Sequence, residues 1–192
     1  MKAGIVALIF GYILSQFYRS FLAVLTPALG TDIAAQASDL SFASGLWFIV
    51  FAAMQIPVGW ALDRFGPRRT TAWLLLVGGC GGAAVFATAT TPASISLAMG
   101  LFGIGGSPIL MAAYFIFARI YPQVVFATLA GAMIGFGSVG NLLGSAPLGY
   151  AVTAFGWRAT MWGVAALAMA TALAIFAFVR DPDRLAKQSD HT

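Results

Sequence analysis

Six long apolar runs, separated by short polar stretches, account for most of the chain. They cover about residues 4–29, 41–62, 70–89, 93–120, 124–154 and 157–179. Each run supplies the ~20 residues that a membrane-spanning helix needs, and tilt accommodates the longer ones. The pattern therefore predicts an all-α membrane protein with one six-helix domain over residues 1–180. Residues 181–192 are polar, and we expect them to form a cytoplasmic tail.

Composition excludes a soluble domain and several classes of function. The 192 residues are 60% hydrophobic and 8% charged, with a mean hydropathy of +0.91, as in polytopic membrane proteins. Cys80 is the only cysteine and His191 the only histidine, so neither a metal centre nor a Ser–His catalytic pair is expected. No Walker-type phosphate loop and no pair of carboxylates in a run occurs either. We predict no enzyme activity and no cofactor.

A short polar hairpin between the second and third runs sets the orientation. The stretch Gly59-Trp-Ala-Leu-Asp-Arg-Phe-Gly-Pro-Arg-Arg69 holds three arginines and is too short to cross a membrane. The positive-inside bias places it in the cytoplasm. Counting outward puts eight of the ten basic residues and both termini inside, and leaves Arg158, Asp32 and Asp39 outside. We therefore predict a multi-pass plasma-membrane protein, in the bacterial inner membrane, with no nucleic-acid partner.

The same hairpin resembles the loop 2–3 signature of the major facilitator superfamily, Gly-x-x-x-Asp-Arg-x-Gly-x-Arg-Arg. The matching residues are Gly59, Asp63, Arg64, Gly66, Arg68 and Arg69. Pro67 departs from the pattern, where the family commonly has a basic residue, but proline suits the first turn of a third helix. The resemblance implies the N-terminal six-helix half of that fold. Residues 181–192 would then begin the linker to a second half, which could be an identical copy or a separate chain.

The fourth and fifth runs extend the resemblance more loosely. Gly140, Gly144, Pro147 and Gly149 resemble the antiporter-type pattern of the family's fifth helix, with Pro147 displaced. These small residues allow close helix packing, and they would serve either static packing or the sliding and bending of helices during transport. Met99 occupies the position where the family often has an arginine linked with proton coupling. That departure puts proton coupling through this half in doubt.

Arg19 is the only charged residue deep within a run, ~15 Å from its boundary at ~1.5 Å per residue. Snorkelling does not reach that far, so the guanidinium must face water, a partner or a ligand. It would bind an anion, or be satisfied by helix carbonyls or a carboxylate of the second half. Tyr12 and Gln16 share its helix face. Since helices 1 and 4 line the family's cavity, the resemblance adds Ser107 and Tyr114 as pathway residues.

Three further polar residues have open roles. Asp63 is either a helix cap or a salt-bridge partner of Arg64 or Arg68. By the resemblance, it instead contacts the cytoplasmic end of a helix in the other half and locks the outward-facing state. For Gln55 and Asn141 we expect hydrogen bonds between helices.

These features predict secondary active transport of a small solute by alternating access with a second six-helix half. The unpaired Arg19 favours an organic anion as the solute. The alternative is a non-transporting membrane scaffold or assembly subunit, or a truncated remnant that keeps the half-fold.

Overall fold

The computed structural model describes residues 2–182, and none of these lies in a β-strand. The helices are α1 (Lys2–Ser20), α2 (Leu22–Ile33), α3 (Ala37–Ala53), α4 (Gln55–Phe65), α5 (Pro67–Leu74), a π-helical segment (Leu75–Cys80), α6 (Gly81–Ala87), α7 (Pro92–Ile120), α8 (Gln123–Leu143), α9 (Ala146–Phe155) and α10 (Trp157–Phe178). The prediction of an all-helical membrane fold is confirmed for this part of the chain. Four helical segments there are long and apolar enough to cross a membrane, and six are if each bent pair counts once.

The first two predicted spans are bent. The angle is 51° between α1 and α2 and 42° between α3 and α4. Before the first bend, the Ser20 hydroxyl donates to the carbonyls of Gln16 and Phe17, a contact that bends helices. At the second bend, Pro57 lacks the N–H that would bond to the carbonyl of Ala53, so the helix ends there. Each bend divides one apolar run into two helices.

The third and fourth predicted spans touch through their backbones. Gly78, in the π-helical segment, lies against Leu101 and Gly105 of α7. A Cβ added at Gly78 would lie 2.5 Å from the carbonyl oxygen of Leu101 and 2.7 Å from the Cα of Gly105. Only glycine permits so close an approach, and in lipid such contacts hold helices together.

Aromatic side chains fill the core beside the bend of the first span. The ring of Tyr18 stacks on Phe102 with centroids 4.3 Å apart. Phe21, at the bend itself, meets Phe86 edge-on at 5.2 Å and Phe102 at 5.6 Å. These rings join the first span to α6 and α7, and they fix the position of the residues around Arg19.

Contacts define two ends of the bundle. At one end, Gly4 packs against the backbone of Phe178, so the beginning and the end of the described chain are neighbours. Loop 2–3 lies at the same end, because Arg68 contacts Phe176. We call this the basic end. At the opposite end, Asp32 of α2 accepts a hydrogen bond from Trp157 of α10.

Candidate functional site

Arg19 occupies the last turn of α1, immediately before the bend, and its side chain is exposed. Its guanidinium carbon lies 5.4 Å from the ring centroid of Phe48 on α3. No ion pair involves it within residues 2–182. At ~1.5 Å per residue, Arg19 is ~26 Å from the start of α1 and ~21 Å from the end of α2. The structure thus places an exposed cation and a phenyl ring side by side, near the middle of the first span.

Tyr12 and Gln16 lie on the side of α1 that packs against α8. Tyr12 is only 9% exposed, and its ring fills the space above Gly137. Gln16 is half-buried, and its Cβ would lie 3.0 Å from a Cβ added at Gly140. Of the three residues on the predicted face, Arg19 alone is exposed. Gln16 retains partial access.

Ser107 and Tyr114 of α7 are positioned by packing and by a proline. Pro108 lacks the N–H that would normally bond to the carbonyl of Ile104. The hydroxyl of buried Ser107 donates to that carbonyl at 2.7 Å, so the helix continues without a break. Tyr114 is half-buried, with its ring 5.8 Å from that of Phe126 on α8. The described contacts of Ser107 are therefore structural, while Tyr114 keeps an accessible edge.

A stripe of small residues on α8 determines how closely this helix approaches the site. A Cβ at Gly140 would overlap the carbonyl oxygen of Ile13, and one at Gly144 would lie 2.5 Å from the Ser20 hydroxyl. Pro147 lies in the first turn of α9, just after the helix is interrupted by a turn at Gly144 and Ser145. Further along α9, a Cβ added at Gly149 would lie at an ordinary contact distance of 3.7 Å from Val24. The stripe brings the backbones of the first and fifth spans together beside Gln16.

Asp63, at the end of α4, pairs neither with Arg64 nor with Arg68, the two partners expected within its own hairpin. Its nearest cation is Arg119 at the end of α7, with Nη2 3.7 Å from Oδ1. Arg64 instead lies over the ring of Trp60, at 5.6 Å. The Asp63 side chain remains 73% exposed, so this carboxylate is accessible at the basic end.

Arg68 ties loop 2–3 to the end of α10. Its backbone N–H donates to Oδ1 of Asp181 at 3.0 Å, and its Nε donates to the carbonyl of Phe176 at 2.5 Å. Gly66 has φ +84°, and a Cβ there would lie 2.7 Å from the same Asp181 oxygen. Both the backbone conformation and the lack of space therefore favour glycine at this position. Asp181, expected to open a polar tail, is therefore bound to the hairpin. The remainder of the predicted tail, 183–192, lies outside the described residues.

A second polar cluster, at the opposite end, was missed in the sequence. Arg158 of α10 pairs with Asp32 of α2 and donates to the carbonyl of Ala89 at 3.1 Å. Trp157 donates to the same carboxylate at 3.0 Å. The cluster joins the first, third and sixth spans. The available signal was the opposite charge of Asp32 and Arg158 on loops predicted to share one side of the membrane.

The two amides expected to join helices also differ from expectation. Gln55 donates through Nε2 to the carbonyl of Phe51, 3.0 Å away in the adjoining turn of the same bent pair. It stabilises the bend rather than joining two spans. Asn141 is exposed on α8.

Known proteins resemble this chain in both sequence and fold. The family model of the Major Facilitator Superfamily matches residues 8–192. The 4-hydroxybenzoate transporter PcaK of Acinetobacter baylyi is 29% identical over 154 residues, which are 80% of this chain and 34% of that protein. PcaK of Pseudomonas aeruginosa is 29% identical over 161 residues, 82% and 35% of the two chains. This chain therefore spans about a third of the length of these curated relatives.

Two solved structures share the fold at 18% sequence identity. One is a bacterial homolog of the human lysosomal transporter Spinster, in an inward-facing and occupied conformation, with a TM-score of 0.79. That match covers 93% of this chain and 44% of the other. The second is a D-xylose–proton symporter with a TM-score of 0.76, covering 98% of this chain and 51% of the other.

Proposed function

The chain belongs to the major facilitator superfamily, and on that premise we propose that it is the N-terminal six-helix half of a secondary transporter for a small organic anion. The solute would cross the membrane by alternating access between this half and a second six-helix half. The single observation that carries the choice of an anion is the exposed Arg19, which has no carboxylate partner within residues 2–182. A cation held at that depth is costly unless water or an anion compensates it.

The surroundings of Arg19 favour a carboxylate attached to a ring or another flat apolar group. A guanidinium offers a planar fork that binds a carboxylate through two parallel hydrogen bonds. The Phe48 ring beside it offers an aromatic face to the rest of the solute. Both curated relatives are named for transport of 4-hydroxybenzoate, a molecule with this combination of groups.

The accessible groups at the basic end support a partner half. Asp63 is exposed, and a carboxylate there can meet the positive N-terminus of a helix in the second half. Because the start and the end of the described chain lie at the same end of the bundle, an identical copy could dock in parallel orientation, as could a separate half. The eight basic residues at the predicted inner side support cytoplasmic termini in a bacterial inner membrane.

Ligand-induced thermal shifts test the anion proposal. The full chain, purified with any second half that accompanies it, is incubated with 4-hydroxybenzoate or with the uncharged 4-hydroxybenzamide. We expect only the carboxylate to raise the melting temperature. Arg19→Ala should weaken its binding roughly tenfold or more, since hydrogen bonds to charged groups contribute about 1.5–3 kcal/mol. Arg19→Lys should recover little, because an ammonium lacks the planar fork.

The matched control is Arg64→Ala, which removes the same charge from an exposed arginine of loop 2–3. It should leave the carboxylate-induced shift intact. Equal shifts for Arg19→Ala and the unmodified chain would contradict a binding role for Arg19. A panel in which sugars or cations, but no carboxylates, shift the melting temperature would contradict the proposed solute class.

A further inference from the structure

Arg69 stands at the head of an apolar groove on the surface of α4 and α5. The groove has a volume of about 340 Å³ and is lined by Ala61, Phe65, Arg69, Thr70, Trp73 and Leu74. It is open to the outside of the bundle. Trp73 and Phe65 are 61% and 50% exposed, so large aromatic surfaces line its walls.

Trp73 also forms one wall of a second groove, between α5 and α10. This groove has a volume of about 180 Å³, and Leu76, Leu173 and Phe176 are among its lining residues. Phe176 carries the guanidinium of Arg68 over its ring at 4.4 Å. The two grooves therefore lie on either side of one tryptophan. Arg69 lines the first groove, and the adjacent Arg68 lies over Phe176, which lines the second.

The depth of these residues fits the boundary of a bilayer. Arg69 lies in the first turn of α5, and Trp73 follows four residues later, ~6 Å deeper along the helix. Tryptophan is enriched at the level of the lipid headgroups, and arginine beside it reaches the phosphates. The apolar walls below Trp73 would lie among the acyl chains.

Two other arginines of the basic end have partners among the described residues, whereas Arg69 has none. Arg68 is bound to Asp181 and Phe176, and Arg119 pairs with Asp63. No hydrogen bond, ion pair or aromatic ring is recorded for Arg69 within residues 2–182, although its side chain is exposed. An anion would complement this exposed guanidinium.

We propose that these two grooves bind one anionic phospholipid, with its phosphate on Arg69 and its acyl chains on either side of Trp73. Basic pockets between membrane helices recognise anionic headgroups in this way. The site is on helices α4, α5 and α10, whereas the proposed solute site is at Arg19 on α1. The lipid proposal does not depend on the transported solute.

Quenching of tryptophan fluorescence by brominated acyl chains tests the site. The full chain is reconstituted in phosphatidylcholine vesicles that contain a minor fraction of brominated lipid. At equal fractions, we expect brominated phosphatidylglycerol to quench more strongly than brominated phosphatidylcholine or phosphatidylethanolamine. Trp73→Phe should remove this excess quenching. The matched control is Trp162→Phe on α10, which is similarly exposed at 51% and should retain it.

The headgroup contact is tested with Arg69→Gln, which should lower the preference for phosphatidylglycerol about fivefold, the contribution of one basic residue near an anionic surface. Arg64→Gln makes the same change in net charge on the same loop and should keep the preference. High salt should also reduce it, because screening shortens electrostatic range. Equal quenching by the anionic and zwitterionic lipids, or an excess that survives both Trp73→Phe and Arg69→Gln, would overturn the proposal.

Discussion

Replacing Gly140 with alanine tests the close approach of α8 to α1. The added Cβ would overlap the carbonyl oxygen of Ile13 and lie 3.0 Å from the Cβ of Gln16, where ordinary contact begins at 3.4 Å. Neither is the far end of a flexible side chain, so the helices must move apart. Overpacking of this kind costs roughly 1–3 kcal/mol. Alanine also gains about 1 kcal/mol over glycine in a helix interior, which partly masks the cost.

Gly135 provides a control that removes this masking. It lies on the same helix, and a Cβ added there meets nothing within 4 Å. Gly135→Ala should therefore show the gain in helix propensity alone and unfold at an equal or higher temperature. The difference between the two variants isolates the packing cost of roughly 1–3 kcal/mol. At about 2–4 °C per kcal/mol for a domain of this size, their melting temperatures should differ by roughly 2–12 °C.

Scanning fluorimetry in mild detergent measures both variants and the unmodified chain in one experiment. We expect Gly140→Ala to melt below Gly135→Ala. If the two alanine variants melt at the same temperature, or if Gly140→Ala is the more stable, the backbones of α1 and α8 are not in contact and the placement of Gln16 is wrong.

Two further predictions concern the opposite end and the orientation. Asp32→Asn should lower the melting temperature modestly, because the pair with Arg158 is half-exposed. The double reversal, Asp32→Arg with Arg158→Asp, should recover part of the stability that the two single reversals lose. A double variant no more stable than the sum of its single variants would contradict the pairing. Reporter fusions after Arg69 should report the cytoplasm and those near Thr91 the outside, and a cytoplasmic signal near Thr91 would contradict the six-span topology.

The helices could be predicted from the sequence because span length and apolarity are local properties. The bends were not predicted, although part of their cause is local as well. Pro57 removes a donor four residues after Ala53, which accounts for the second break. The first break depends on the Ser20 hydroxyl, and a serine in an apolar run is too common to indicate a bend.

Partners across the bundle could not be predicted, because charge type does not determine position. Arg158 and Asp32 are 126 residues apart, and Arg68 and Asp181 are 113 apart. Asp63 offered two nearby arginines in its own hairpin, yet its closest cation is Arg119, on another helix. The end of α7 reaches the end of α4 only once the spans have packed.

Helix periodicity placed Tyr12, Gln16 and Arg19 on one face, but it could not show what covers that face. The glycine stripe of α8 supplies the cover: it brings a second backbone against α1 beside Tyr12 and Gln16. Beyond that cover, Arg19 turns toward Phe48. Packing and binding are therefore divided between neighbouring residues of one helix. For this reason Gly140→Ala should lower thermal stability relative to Gly135→Ala, whereas Arg19→Ala should lower anion binding with little change in the melting temperature of the ligand-free protein.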